Sequence, residues 1–249
     1  MSAHHIRLEL CTGSPEDCEA AERGGADRVE LNCALVLGGL TPSIGCLRES
    51  RAAVRIPIVA MIRPRPGGFA YSATEYKVMQ RDAESALAEG ADGIAFGILT
   101  PDGRIDLERS GQLVKLAAGR QVVFHRAFDV VPDPLLALEQ LIGLGVHRVM
   151  TSGQEASAYN GAANIASYIQ HAAKRIELLP AGGINRFTIR DVVQRTGCDQ
   201  VHASLSAASK DLSVLGRPQV SFGGVFKPPE DEFTVTDAGA VARLRGMLD

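Results

Sequence analysis

The sequence predicts an α/β protein folded as a single TIM-type (β/α)8 barrel, and three observations carry that expectation. Eight short β-branched or apolar runs alternate with longer helical patterns along the chain. Helices end in Gly-containing turns that lead into the next strand. The 249 residues match the ~250 over which such a barrel runs as one domain. An open doubly wound sheet would show fewer strands and a nucleotide crevice at its switch point. Residues 1–249 therefore read as one barrel domain, with an irregular segment at 204–236 before the last helix.

In chain order the strands are expected at 6–11, 28–32, 58–63, 93–97, 121–125, 148–152, 177–180 and 200–203. Helices are expected at 14–23, 43–53, 74–89, 107–117, 134–144, 162–173, 185–195 and 237–248. Three helix-to-strand turns share one phrase: Gly24-Gly25-Ala26-Asp27, Gly90-Ala91-Asp92-Gly93 and Gly145-Val146-His147-Arg148. Each places Gly where a left-handed helix C-cap is needed, followed by a small turn into an apolar strand. The stretch 204–236, rich in Gly, Pro, Ser and charge and including Lys227-Pro228-Pro229, cannot sustain a long helix and is expected outside the regular repeat.

Composition excludes several functions. Lys+Arg 26 against Asp+Glu 29 gives a net charge of −3, and with no Trp and 5% aromatics the chain lacks the basic face and stacking platforms of a nucleic-acid binder. No apolar run approaches the ~18 residues of a membrane span, so no membrane partner is expected. The five cysteines, Cys11, Cys18, Cys33, Cys46 and Cys198, form no C-x-x-C pair. With no signal-peptide core behind His4-His5, they point to a reducing, cytoplasmic setting. His4 and His5 themselves stand on a terminus expected to fray and receive no role.

Barrel chemistry sits at the carboxyl ends of the strands, and strand alternation tells which side chains turn inward. It assigns Glu9 and Cys11, Glu30 and Asn32, Met61 and Arg63, His125, His202, and Thr151 or Ser152 to the interior. Inward carboxylates cost several kcal/mol each unless paired. A purely structural network of Glu9, Glu30 and Arg63 would satisfy them, but their concentration at the mouth favours a site. Glu9, Glu30, Arg63, His125 and Asp129 are the candidate catalytic residues. His125 is expected to be the acid or base partner nearest neutrality, and Arg63 to grip an anionic or carbonyl oxygen. Asn32, Arg65, Arg126, Ser152, Gly182, Gly183, His202 and Ser204 are the candidate ligand-binding residues. Arg126 and Asp129 have an alternative as a pair that braces their loop. Gly182-Gly183 permits close approach of the backbone to a phosphate or carboxylate.

Five phrases resemble the CutC family, named for copper homeostasis: Gly24-Gly25-Ala26-Asp27-Arg28-Val29-Glu30-Leu31, Gly38-Gly39-Leu40-Thr41-Pro42-Ser43, Ile62-Arg63-Pro64-Arg65, Phe124-His125-Arg126-Ala127-Phe128-Asp129 and Thr151-Ser152-Gly153-Gln154. The resemblance implies a TIM-type barrel, a cytoplasmic homo-oligomer (dimer or tetramer) and a link to copper. It further implies Cu(I) as cofactor, held by two cysteines at the ends of the first two strands. Cys11 matches the first position; Asn32 stands at the second, and Cys33 follows one residue later. Cys11 and Cys33 are thus the candidate metal ligands, provided the chain turns directly after Asn32; a soft d¹⁰ ion wants two convergent soft ligands, so Cu(I) binding is expected to be weak or absent without that turn. Two functions stay open. One is a copper-homeostasis protein that binds Cu(I); the other is a barrel enzyme doing acid–base chemistry on a small polar or phosphorylated metabolite.

Overall fold

The computed structural model describes residues 5–217, 219–223 and 230–248; His4 and part of the 204–236 segment lie outside them. Eight parallel strands form the barrel: β1 (Arg7–Thr12), β2 (Arg28–Leu31), β3 (Ile58–Met61), β4 (Gly93–Phe96), β5 (Gln121–Phe124), β6 (Arg148–Thr151), β7 (Glu177–Pro180) and β8 (Gln200–Ala203). The hydrogen-bonded order runs β7-β6-β5-β4-β3-β2-β1-β8. β7 and β8 therefore meet across a seam, where Gln200 Nε2 donates to Glu177 Oε2 at 3.1 Å.

The outer ring comprises α1 (Pro15–Arg23), α2 (Ile44–Ala53), α3 (Ala73–Ala88), α4 (Leu107–Leu116), α5 (Pro134–Leu144), α6 (Ala162–Ala172), α7 (Ile189–Thr196) and, after the eighth strand, α8 (Ala238–Arg245). Ser14, Ser43, Ser72, Asp106, Asp133 and Asp237 start six of these helices by accepting an N–H three residues on. α7 begins later than the sequence pattern suggests. Asn185 Oδ1 takes the Phe187 N–H at 2.8 Å and Thr188 Oγ1 the Asn185 N–H at 3.0 Å, so residues 185–188 form a polar turn instead of a first helical turn.

Several strands stop one or two residues short of their expected ends. Asn32, His125 and Ser152 are consequently the first residues after their strands at the mouth, and Arg63 is the second after β3. Two of them still continue the ladder through their N–H groups, Asn32 to Thr12 O at 2.9 Å and His125 to Phe96 O at 2.8 Å.

The described flanks of the 204–236 segment form regular structure that its composition did not suggest. β9 (Ser206–Lys210) and β10 (Glu232–Thr236) form an antiparallel pair, with Ser206 opposite Thr236. The small and β-branched residues of its two flanks can pair, whereas its Gly and Pro lie between them. The arm is fastened to the barrel by Thr236 N–H donating to Asp17 Oδ1 at 2.6 Å and Asp237 N–H to Leu205 O at 3.0 Å.

Alternate residues of each strand face opposite ways. Leu8, Leu10, Val29 and Leu31 pack beneath the helices, while Val59, Met61, Ala95, Val123, Met150, Leu179 and Ala181 fill the barrel interior. Under this apolar layer lies a polar floor. Arg28, Gln121, Arg148, Glu177 and Gln200, each the first residue of its strand, interlock. Arg148 Nε reaches Glu177 Oε2 at 2.8 Å and Gln200 Oε1 at 3.0 Å, its Nη2 reaches Gln121 Oε1 at 3.2 Å, and Arg28 Nη2 reaches Gln200 Oε1 at 3.1 Å. Arg28 Nε also donates to Glu9 Oε2 inside the barrel.

Arg28→Ala removes the guanidinium from a buried carboxylate. Urea unfolding is expected to show a loss of about 3–5 kcal/mol; a loss under ~1 kcal/mol would mean that the pair contributes no more than an exposed one.

Candidate functional site

A cavity of about 710 Å³ opens at the carboxyl end of the strands. One wall carries Cys11, Glu30, Asn32 and His202; another carries Arg63, Phe69 and His125; the third carries Arg126, Asp129, Gly182, Gly183 and Ser204.

The first wall is built on neighbouring strands. Glu9 stands opposite His202 in the β1–β8 ladder and opposite Arg28 in the β1–β2 ladder, and it bridges them, with His202 Nδ1 2.8 Å from Glu9 Oε1. Burial alone would raise the Glu9 pKa, but Arg28 and His202 hold it well below the usual carboxylate range. Burial opposes charge on His202 too, yet Cys11, Glu9 and Glu30 outweigh it and keep the imidazole protonated well above its ordinary pKa. Glu30 moves the other way. Its burial pushes the carboxyl up, with the Glu9 charge adding to the rise and His202 and Asn32 resisting it. Asn32 Nδ2 donates to Glu30 Oε2 at 3.1 Å and lies 3.5 Å from Cys11 Sγ. Burial raises the Cys11 thiol, which stays protonated at neutral pH.

The second wall separates Arg63 from the carboxylates. Its Nη1 donates to the carbonyls of Leu37, Gly38 and Gly39 at 3.1–3.3 Å, its Nη2 to Gly67 O at 2.9 Å, and the guanidinium lies 5.3 Å over the Phe69 ring. The expected Glu9–Glu30–Arg63 network therefore does not form. The loop carbonyls claim Arg63, and Arg28, which sequence reading left out of the site, takes Glu9. Phe69 also packs on His125, ring centroids 5.1 Å apart. His125 Nδ1 accepts the Ala127 N–H at 3.1 Å, so Nε2 carries the ring proton. Burial and the Arg63 charge push the His125 pKa down to about 3. His125 is thus a neutral N–H donor, not the near-neutral acid–base group that its type suggested. Gly97 makes room for it: a Cβ there would lie 2.5 Å from His125 Cε1.

On the third wall Asp129 is a clamp. It accepts Thr151 Oγ1–H at 2.5 Å, Ser152 N–H at 2.9 Å, Gln154 N–H at 3.3 Å and Arg126 Nε–H at 2.7 Å. With its lone pairs so occupied it is poorly placed as a catalytic base, and Ser152, bonded to Asp129 and Arg126, is a brace behind the wall. Glu9 lies a layer below the cavity. Arg65 turns away, donating to Glu75 Oε1 at 2.5 Å and Ala70 O at 2.8 Å. Cys33 donates to Thr41 O at 3.0 Å in a bridge with Leu40, so it does not join Cys11 at the cavity; the chain after Asn32 turns its thiol elsewhere. Phe69, Gly97 and Arg28 carried no sequence signal strong enough to find them. Only the inward register of Arg28, two residues before Glu30, could have done so.

Fold and mouth together define a TIM-type barrel protein with a polar-lined cavity at the carboxyl end of its strands. The chain belongs to the CutC family, whose model matches residues 6–207. It is 48% identical over 240 residues to a family protein CutC of Treponema denticola, covering 96% of this chain and 98% of that one. It is 40% identical over 246 residues to the human copper homeostasis protein cutC homolog, covering 99% of this chain and 90% of that one. The crystal structure of a copper homeostasis protein CutC from Streptococcus agalactiae superposes with a TM-score of 0.76 at 33% identity, over 79% of this chain and 97% of that one. The barrel is also shared, at 15% identity and a TM-score of 0.60, with a thiamine phosphate pyrophosphorylase from Pyrococcus furiosus, a likeness of fold alone.

His125 supplies a pH test. Between pH 6.5 and about 3 the unfolded chain binds a proton that the native imidazole refuses, so stability falls as pH drops through that window. The His125→Gln variant should lack this component, so the stability of the wild type relative to the variant should fall as pH drops from 6.5 towards 3. Parallel curves would show that His125 is not held neutral.

Proposed function

We propose that the mouth binds a small polar metabolite with a carbonyl-type oxygen and moves a proton on it. One observation carries this reading. Four buried polar atoms without a partner among the described residues, Glu30 Oε1, Asn32 Oδ1, Arg63 Nε and His125 Nε2, belong to residues lining a single cavity. Each such atom costs roughly 1–3 kcal/mol when left unsatisfied, and a fold that gathers them at the catalytic end of a barrel has donors and acceptors ready for a ligand. His125 Nε2–H and Arg63 Nε–H donate to the ligand oxygen and stabilise negative charge as it develops there. Glu30, its pKa raised by burial, takes the proton and returns it. Asn32 Oδ1 accepts from a ligand hydroxyl or amine.

Cu(I) binding is the second reading, favoured by the convergence of Cys11, Glu30 and His202, whose ligand atoms lie within 4.8 Å of one another. The donor set fits a soft ion at the thiolate and the imidazole but offers a single sulfur. Glu9 on His202 Nδ1 is the arrangement that orients a ligating imidazole. Cys11 and His202 would both have to shed protons, so affinity would rise with pH.

Five free thiols support a reducing, cytoplasmic setting, and the human and mouse relatives' names support a role in copper homeostasis. No helix among the described residues is long and apolar enough to cross a membrane. We place the chain in a homo-oligomer, dimer or tetramer, whose partner is a small polar or anionic ligand and not a nucleic acid or a membrane.

Glu30→Gln and His125→Asn should abolish binding or turnover in a metabolite-library screen while shifting the thermal melt little. Strong destabilisation in both, with no ligand for the wild type, would reduce the cluster to a structural one. An anaerobic Cu(I) titration decides the second reading: stoichiometric binding lost in Cys11→Ser establishes it, and its absence in the wild type removes it.

A further inference from the structure

The third wall of the cavity has donors that the proton-transfer chemistry does not use. The N–H groups of Gly182, Gly183 and Ile184 donate to no group among the described residues, and all three residues line the cavity. Both glycines have positive φ, +94° and +71°, a conformation in which a side chain would be strained. The missing side chain also has a use. A Cβ on Gly182 would lie 3.2 Å from Arg126 Nη1, so the guanidinium rests directly against this stretch of backbone.

Arg126 is held ready. Its Nε is fixed by Asp129 at 2.7 Å and its Nη2 by Ser152 Oγ at 2.7 Å, which leaves Nη1 beside Gly182 with no hydrogen bond among the described residues. Asp129, the one acid at this wall, has its charge met by Arg126 and by the Thr151, Ser152 and Gln154 donors. Ser204, the residue after β8, lines the same cavity. The loops after the seventh and eighth strands are where barrels hold phosphate. Across the cavity the buried Nε2 of His125 has no partner among the described residues, so the two poles address one ligand. Met61, Met150 and Ala181 lie between them as an apolar surface.

We propose that the Gly182, Gly183 and Ile184 amides and Arg126 Nη1 form an anion subsite for a phosphate monoester. The ligand of the mouth is then a phosphorylated small molecule whose oxygen-bearing carbon reaches Glu30, His125 and Arg63. Four donors from backbone and guanidinium suit a tetrahedral dianion, whose terminal oxygens each take several hydrogen bonds. The proposal deepens the preceding reading and rests on it for the second pole.

The test is an amide ¹H–¹⁵N NMR titration of the full chain with inorganic phosphate, alongside sulfate and acetate. Saturable shifts at Gly182, Gly183 and Ile184 are expected, with weaker binding of acetate. Arg126→Gln, which keeps a donor for Asp129, should weaken phosphate binding by about tenfold or more. The absence of shifts at these amides, shifts only elsewhere, equal affinity for acetate, or an Arg126→Gln variant with wild-type affinity would overturn the subsite. Because the wild-type titration reads the amides directly, a misfolded variant does not remove the test. Phosphate binding without any substrate in the screen would count against proton transfer alone. A substrate bound without phosphate affinity would count against the subsite alone.

Discussion

The Glu9 carboxylate, gripped by Arg28 on the floor side and by His202 on the mouth side, is the interaction on which the barrel interior depends. A charge at this depth is tolerable only because both oxygens are engaged by cationic donors. From it a polar column runs in both directions. Downward it passes through Arg28 and Gln200 to Arg148 and Glu177; upward it passes through His202 to Cys11 and Glu30. The apolar layer of Val59, Val123, Met150 and Leu179 fills the rest of the cross-section. The mouth is therefore not an independent patch but the open end of a charge arrangement rooted in the floor.

That arrangement gives two histidines of one pocket opposite characters. His202 sits among carboxylates and a thiol and keeps its proton. His125 has no carboxylate partner, lies against Phe69, and feels the Arg63 guanidinium, so it stays neutral. Charge on His202 balances Glu9, and the neutrality of His125 leaves an N–H donor free for a ligand. The difference comes from neighbours and burial, since the side chains are chemically the same.

Asn32 shapes the choice between metal and metabolite. Its amide nitrogen reaches Glu30 Oε2 and Cys11 Sγ, where a second thiol would give a soft ion its partner. The amide instead ties the carboxylate to the thiol by hydrogen bonds and leaves Oδ1 unmatched. In the reading we propose, one sulfur and one imidazole among several hydrogen-bonding groups favour a polar molecule over a monovalent soft cation.

The sequence by itself determined the architecture and the inward set. Eight strand-and-helix repeats, Gly-ended helices and a period of two along each strand were enough to predict the parallel barrel and to turn Glu30, Asn32, Arg63, His125 and His202 towards one end of it. Periodicity carries that information because it depends only on local backbone geometry. Partners were not legible in the same way. Long side chains choose among groups brought close by the fold from distant positions, such as Glu9 with His202, or Arg63 with the Gly38 and Gly67 carbonyls. Those choices set whether Glu9 belongs to the floor or the mouth, which histidine is charged, and whether Cys33 faces Cys11 or Thr41. Only the tertiary structure decided them, because burial and charge pairing are properties of three-dimensional neighbours and not of sequence spacing.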